Sequence, residues 1–235
     1  MFRLAIVLCD DLGRRISSTF SPYESLYTDF IKLGAEDSIE FDVFRAHKGE
    51  LPDDIAAFDA LLIGGSRAGV YEAHDWMSPL INMVRTSLDH HVTATGICFG
   101  HQVIAAALGA EVAPSRNGWN LAAQNYESLD TDFGPAGEQM RLIAFHHDQV
   151  QSVPDGTTCY LTSPRCDIAG LVADHVLTMQ PHPEFTPEVT SAILNASRGS
   201  SIPESDIDDA LTCLDGEFSA MQASQLFWSA FQQGC

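Results

Sequence analysis

The chain has 235 residues, 45% of them hydrophobic, which is enough for the core of one compact α/β domain with or without a small appendage. Its 32 acidic residues outnumber the 12 basic ones, and the formal net charge of −20 argues against nucleic acid and membrane partners, because phosphate backbones and lipid surfaces are also negative. No apolar stretch reaches the length of a membrane span, and residues 4–9 are too short for the apolar part of a secretory signal.

The cysteines predict a reducing compartment. Their spacings fit neither a disulfide framework nor a CxxC zinc site. We therefore expect a cytoplasmic protein with mostly free thiols, in which most cysteines are small buried hydrophobic residues or surface thiols. Cys98 is the exception, because the residues around it form a catalytic pattern. The six cysteines are Cys9, Cys98, Cys159, Cys166, Cys213 and Cys235.

The first half of the chain alternates between strands and helices. Short apolar runs predict strands at residues 4–8, 41–44, 60–63 and 92–97, and apolar residues at helical spacing predict helices at residues 23–34, 76–84 and 103–108. This alternation is typical of a mainly parallel sheet with helices on both faces.

The second half has a different pattern. Strands without intervening helices are predicted at residues 122–126, 142–145, 159–161, 171–172 and 176–179, which indicates a mixed or antiparallel extension of the sheet. Residues 189–194 and 207–231 are predicted to be helical, with a loop at 197–203 between them. We expect residues 1–199 to form one domain and residues 200–235 to form a helical extension packed on it.

The sharpest motif is Gly-Ile-Cys-Phe-Gly-His-Gln at residues 96–102, between a predicted strand and a predicted helix. Two glycines flanking a nucleophile allow a tight strand-to-helix turn that lifts the nucleophile into a pocket. The helix N-terminus favours the thiolate of Cys98, and the N–H group of Phe99 points to where an oxyanion would form. A buried cysteine in an ordinary turn is the alternative reading of this segment.

A second motif, Gln-Pro-His-Pro-Glu-Phe at residues 180–185, follows the last predicted strand. We expect its two prolines to hold the chain extended, so that His182 and Glu184 point to the same side. A carboxylate beside an imidazole orients it and favours its protonated form, which is what a cysteine nucleophile requires of its base. A histidine near a glutamate is otherwise most often a surface pair.

Together these residues resemble the class I, or triad-type, glutamine amidotransferases. Two more stretches agree with this resemblance: Gly-Gly-Ser at residues 64–66, similar to the oxyanion loop of the family, and His-His-Asp-Gln-Val at residues 146–150, similar to the stretch that borders its glutamine pocket. The resemblance implies a flavodoxin-like three-layer α/β sandwich. It also implies hydrolysis of the side-chain amide of glutamine, without a metal or an organic cofactor.

The resemblance assigns a role to each matching residue. Cys98 would attack the γ-carbonyl, His182 would protonate the departing ammonia, and Glu184 would orient His182. The N–H groups of Gly65 and Phe99 would hold the oxyanion. The remaining substrate-binding residues would be Gln102, His146 and Asp148.

Ser66 departs from the family pattern, since synthetase-linked members usually have proline after the glycine pair. The stretch around it is closer to freestanding members similar to the glutaminase domain of GMP synthase, and to plant γ-glutamyl peptidases that process glutathione conjugates. Three hypotheses follow: a glutaminase that is either the subunit of a synthetase partner chain or a standalone amidotransferase-like enzyme, a γ-glutamyl peptidase or hydrolase, and a non-catalytic binding or regulatory protein on the same fold. The sequence contains no ATP-binding signature, so an acceptor for ammonia would lie on another chain.

Overall fold

The computed structural model describes residues 1–13, 16, 20, 22–36, 38–131 and 136–233, and Cys235 lies outside this set. The five cysteines within it are free thiols, as the sequence predicts. Among the described helices, none combines the length and the apolar character that crossing a bilayer requires.

The central sheet has nine strands in the order β2-β1-β3-β4-β11-β10-β9-β6-β7. The pairings that join β2, β1, β3, β4 and β11 are parallel. The pairings that continue from β11 through β10, β9 and β6 to β7 are antiparallel. The strands of this sheet are β1 Phe2–Leu8, β2 Ile39–Arg45, β3 Ala60–Ile63, β4 Thr93–Ile97, β6 Asn120–Ser128, β7 Gln139–His146, β9 Thr158–Ser163, β10 Cys166–Ala173 and β11 Val176–Met179. The α/β class and the mixed, largely parallel sheet predicted from the sequence are therefore confirmed.

Helices cover both faces of the sheet. Helices α1 and α6 pack on one face with Leu4, Ile6 and Leu8 of β1, and α2 and α3 pack on the other face. Helices α4 and α5 cover the antiparallel end beside β6. The helices are α1 Tyr23–Gly34, α2 Met77–Asp89, α3 Phe99–Ala107, α4 Pro187–Ala196, α5 Glu204–Leu211 and α6 Ala220–Gln233.

Helix α6 returns the C-terminal segment to the layer that holds α1. The buried Ser224 hydroxyl donates to the carbonyl of Phe30 over 2.6 Å and accepts from the N–H of Gly34 over 2.8 Å. A Cβ atom on Gly34 would meet the backbone of α6, so glycine sets the close approach of the two helices. The division into residues 1–199 and 200–235 stays a prediction.

The structure corrects two details of the predicted elements. The helical pattern over residues 207–231 is interrupted between α5 and α6, where Gly216 has φ +98° and the Arg141 guanidinium binds the carbonyls of Cys213 and Asp215. The stretch after His146, where no strand is predicted, contains the short strand β8 Asp148–Val150, which pairs with β5 Val112–Pro114. Strands of three residues are too short to show a periodic pattern.

Candidate active site

Cys98 lies at the turn between β4 and α3, in the conformation that the motif predicts. Its backbone has φ 54° and ψ −104°, a strained combination for a residue with a side chain. Glycine is required on both sides: a Cβ on Gly96 would collide with Gly100, and a Cβ on Gly100 would collide with the carbonyl of Ile63. The turn therefore holds the Cys98 side chain, 5% exposed, at the end of the parallel part of the sheet.

His182 follows β11, the strand that pairs with β4, and so it arrives beside Cys98. The His182 N–H donates to the carbonyl of Ile143 over 2.7 Å, which anchors the segment to β7. Its ring stacks on Phe185 with centroids 4.1 Å apart and planes 7° apart. The backbone bond anchors the segment, and the Phe185 ring covers one face of the imidazole before any substrate binds.

Glu184 holds the other end of this imidazole. Its Oε1 lies 2.7 Å from Nδ1 of His182, and the side chains are 5% and 0% exposed. The segment is a turn at residues 183–184, closed by the Phe185 N–H on the His182 carbonyl, so the predicted extended chain is wrong. The turn still brings the two side chains together, because it is closed by the N–H of Phe185, the residue that follows Glu184.

The electrostatics of this pair favour the imidazolium. Burial opposes a charge on His182, but the negative charges of Glu184 and of Cys98 outweigh it and raise the His182 pKa to about 10. With Nδ1 bound to Glu184, Nε2 is the ring atom left for the Cys98 sulfur. A proton shared between sulfur and Nε2 is the arrangement that activates a thiol nucleophile.

The glycine loop approaches the same imidazole from the other side. A Cβ on Gly65 would lie 3.0 Å from Cε1 of His182. The N–H of Gly65 donates to the Tyr27 hydroxyl over 2.8 Å, and that hydroxyl donates to Tyr23 over 2.9 Å. The predicted oxyanion donor is thus already engaged by Tyr27, and its role stays a prediction. Phe99 is the first residue of α3, where helical N–H groups have no intrahelical acceptor.

The three predicted substrate-binding residues form one cluster. The Gln102 amide donates to the carbonyl of Asp148 over 2.9 Å and to the Gln180 side chain over 3.1 Å. His146 is pinned between the same carbonyl at Nδ1 and the Asn120 amide at Nε2, each at 3.2 Å. Burial, above all, lowers the pKa of His146 to about 3, so the ring is neutral. Their binding role stays a prediction.

A cavity of about 530 Å³ opens onto both Cys98 and His182. Its far wall is apolar, formed by Trp119, Phe145, Ile193 and Ile202, and its rim includes the paired side chains Asp10 and Arg67. The two oxygens of Asp10 each lie 2.7 Å from the Arg67 guanidinium. The volume is within the range of small-molecule sites and exceeds what departing ammonia needs.

The residues described by the structure contain no group of three or more histidine, cysteine, aspartate or glutamate side chains placed to hold a metal ion. The profile of the class-I glutamine amidotransferases matches residues 23–197. The chain belongs to this family.

The relatives that this chain matches have names that give different activities. Gamma-glutamyl peptidase 3 of Arabidopsis thaliana is 27% identical over 222 residues, covering 88% of this chain and 86% of the peptidase. The glutamine-hydrolyzing GMP synthase of Cupriavidus taiwanensis is 31% identical over 138 residues, 54% of this chain and 25% of the synthase. A solved glutamine amidotransferase from Methylobacillus flagellatus has the same fold, with a TM-score of 0.76 at 18% identity over 98% of this chain and 94% of that one.

Ser66, where this glutamine amidotransferase differs from the proline expected of synthetase-linked members, has a local structural role. Its hydroxyl donates to the carbonyl of Cys9 over 3.0 Å and accepts from the N–H of Ala68 over 3.1 Å. These bonds tie the glycine loop to the end of β1. Serine therefore fixes the loop by hydrogen bonding, where proline would restrict the backbone directly.

Sequence reasoning missed Tyr23 and Tyr27 as neighbours of the site. Their spacing of four residues on α1 indicated a helix face that packs on the core, which is correct for the rings. The spacing does not indicate which groups the hydroxyls bind. The Arg67–Asp10 ion pair was also missed, because its partners are 57 residues apart and each stands alone in the sequence. Only the fold brings these groups to the cavity.

Proposed function

We propose that this glutamine amidotransferase family member is a cysteine hydrolase of γ-glutamyl amide bonds, with the side-chain amide of glutamine as its simplest substrate. The observation that carries the proposal is the buried His182 imidazole, held by Glu184 at 2.7 Å and facing Cys98. A nucleophilic task explains a charged pair buried beside a strained cysteine, because backbone strain and perturbed pKa values cluster at functional sites. The five described cysteines are all free thiols, so none of them forms a disulfide with Cys98.

The reaction proceeds in two steps, formation of a thioester and its hydrolysis. The Cys98 thiolate adds to the γ-carbonyl carbon, and the N–H groups of Phe99 and Gly65 hold the oxyanion. His182 gives its Nε2 proton to the leaving nitrogen as the C–N bond breaks, which leaves a γ-glutamyl thioester. Water then loses a proton to His182 and attacks the thioester, and glutamate departs as the thiolate re-forms.

The predicted substrate contacts complete this proposal. Gln102 and Asp148 share a hydrogen bond at the start of α3, and His146 reaches the same Asp148 carbonyl. We assign this cluster to the glutamyl end of the substrate, on the side of Cys98 away from the cavity. Since His146 is neutral, it adds no charge to that end.

A second candidate, cleavage of γ-glutamyl peptides, is favoured by the cavity. His182 must lie next to the leaving nitrogen, so whatever is attached to that nitrogen extends on the His182 side of Cys98. The cavity of about 530 Å³ is lined by His182 as well as by Cys98 and could hold an amino acid or peptide. The name of the Arabidopsis relative supports this reading. A glutaminase, by contrast, would hand ammonia to a synthetase partner chain in the cytoplasm.

The test compares wild type, Cys98→Ala and Cys98→Ser on glutamine, glutathione and a γ-glutamyl dipeptide. Release of ammonia, free amine and glutamate is measured for each. Ammonia from glutamine supports the glutaminase, and cleavage of the peptides with little glutamine turnover supports the peptidase. Equal rates in wild type and both variants would exclude Cys98 as the nucleophile and overturn the proposal.

A further inference from the structure

Three groups near the candidate site form a directional chain of hydrogen bonds. The N–H of Gly65 donates to the Tyr27 oxygen over 2.8 Å, and Tyr27 donates to the Tyr23 oxygen over 2.9 Å. In the tyrosine pair the Tyr27 hydroxyl is the donor, and each hydroxyl has only one hydrogen. The hydrogen of Tyr23 is therefore left for a third partner.

That third partner would lie in the cavity of the candidate site. Tyr23 lines the cavity together with Cys98 and His182. The Cβ position of Gly65 is 3.4 Å from the Tyr23 hydroxyl oxygen and 3.0 Å from Cε1 of His182, so the hydroxyl and the imidazole border the same point of the glycine loop. Within the described part of the chain, no hydrogen bond accepts the Tyr23 hydrogen.

The surroundings keep this hydroxyl protonated and polarised. Burial, and then the negative charges of Glu184 and Cys98, raise the pKa of Tyr23 well above its usual value. Each donor in a hydrogen-bond chain also strengthens the next one, so Gly65 and Tyr27 make Tyr23 a better donor. A fixed donor in a buried cavity stabilises negative charge that develops beside it more strongly than water does.

We propose that the Tyr23 hydroxyl is a catalytic donor to the carbonyl oxygen of the scissile amide, the oxygen that becomes an oxyanion when Cys98 attacks. This inference rests on the proposed function. Tyr23 acts beside the N–H groups of Phe99 and Gly65, and the bond from Gly65 to Tyr27 aligns the tyrosine pair before substrate binds. Tyr27 is then a positioning residue.

The first test is Tyr23→Phe, which removes the hydroxyl and keeps the ring that packs edge-on against Tyr27. The loss of one oxyanion donor is expected to lower kcat on the preferred γ-glutamyl substrate about 10²- to 10³-fold, with a much smaller change in KM. Tyr126→Phe is the matched control, since that hydroxyl is buried and has no hydrogen-bond partner among the described residues. The control should keep the wild-type kcat.

The second readout separates oxyanion stabilisation from thiolate formation. A chloromethyl ketone analogue of glutamine alkylates a thiolate through a tetrahedral adduct and releases chloride, whereas iodoacetamide alkylates it by direct displacement of iodide. Tyr23→Phe should slow labelling of Cys98 by the ketone and leave labelling by iodoacetamide unchanged. Equal slowing with both reagents would mean that Tyr23 acts on the His182–Glu184 pair, which overturns the donor role.

The relay is tested by Tyr27→Phe and by the double variant. Tyr27→Phe should lower kcat by about tenfold, because Tyr23 loses the donor that aligns it. The double variant should be no slower than Tyr23→Phe alone, since Tyr27 acts through Tyr23. Additive losses would overturn the relay.

Two negative outcomes are distinguishable. Full kcat and full ketone labelling in Tyr23→Phe, beside an active wild type, overturn the donor role alone. Equal turnover by wild type and Cys98→Ala on every substrate, with Cys98 resistant to both reagents, overturns the proposed function and this inference with it.

Discussion

The Nδ1 atom of His182 lies 2.7 Å from Oε1 of Glu184, although a turn, and not an extended strand, connects the two residues. The turn brings the carboxylate under the imidazole, and the bond from the His182 N–H to Ile143 fixes the ring over the cavity. The relationship depends on two separate strands, β11 before the turn and β7 beside it. The orientation of the base is therefore built into the sheet itself.

The first prediction concerns Glu184→Gln. The charge of Glu184 helps to raise the His182 pKa to about 10, so its removal lowers that pKa. His182 must be protonated to release the leaving group, so kcat should decline above about pH 10 in wild type and from a lower pH in the variant. At pH 8 we expect the variant to lose about 10²-fold or more in kcat.

A pH–rate profile of both proteins checks this, with the exposed Glu188→Gln as the control. An alkaline limb at the same pH in Glu184→Gln and wild type would show that Glu184 does not set the protonation of His182.

The second prediction concerns acid stability. Burial lowers the pKa values of His101 and His146 to about 3, from the usual 6.5. Between these values the unfolded chain binds more protons than the folded one, so stability falls as the pH drops from 6.5 toward 3. Each histidine adds up to about 1.4 kcal/mol per pH unit to this slope.

Urea unfolding between pH 6.5 and 4.5 measures this slope. His101→Gln, which can retain the bond to the Thr178 hydroxyl, should flatten it, whereas the exposed His90→Gln should not. Identical slopes in wild type and His101→Gln would contradict a neutral, buried His101.

The third prediction concerns the turn that carries Cys98. Gly100→Ala places a methyl group against the carbonyl of Ile63, which belongs to the neighbouring strand and cannot move freely. We expect a loss of about 1–3 kcal/mol in unfolding free energy. Gly13→Ala is the control, because its Cβ would meet no atom of the described residues within 4 Å. Thermal unfolding with equal midpoints for the two variants would contradict the steric account.

The fourth prediction concerns the contact between α1 and α6. Ser224→Ala removes a buried hydroxyl that serves both Phe30 and Gly34, and it leaves the Gly34 N–H without its acceptor. The expected cost is about 1–3 kcal/mol, against a negligible cost for the exposed Ser205→Ala. Chemical denaturation of the two variants gives the comparison. A Ser224→Ala protein as stable as Ser205→Ala would show that the helices do not depend on this hydroxyl.

Sequence patterns predicted the sheet well because its strands are buried, apolar runs. The segments 60–63 and 176–179 were predicted with the bounds that β3 and β11 have. The segment of residues 207–231 was not, because its apolar spacing continues through Gly216 while the Arg141 side chain stabilises a turn there. That guanidinium comes from β7, and no local pattern reports a contact across 72 residues.

For the candidate site, the sequence indicated the groups that do chemistry and not those that surround them. Cys98 and His182 stand in short motifs whose spacing follows from the chemistry. Tyr23 and Tyr27 occupy helix positions that a hydrophobic residue would fill as well, so only their hydroxyl contacts distinguish them. The hydrogen bond that engages Gly65 could not be predicted either, because it depends on how closely α1 approaches the loop after β3.

The position of β11 has a consequence for synthesis of the protein. In the described residues, β11 alone joins the parallel strands that end at β4 to the antiparallel strands that begin at β10. A nascent chain that stops before residue 176 has two separate half-sheets, each with an open edge. Cys98 is therefore synthesised long before its base, His182. The thiol stays unactivated until β11 pairs with both halves of the sheet.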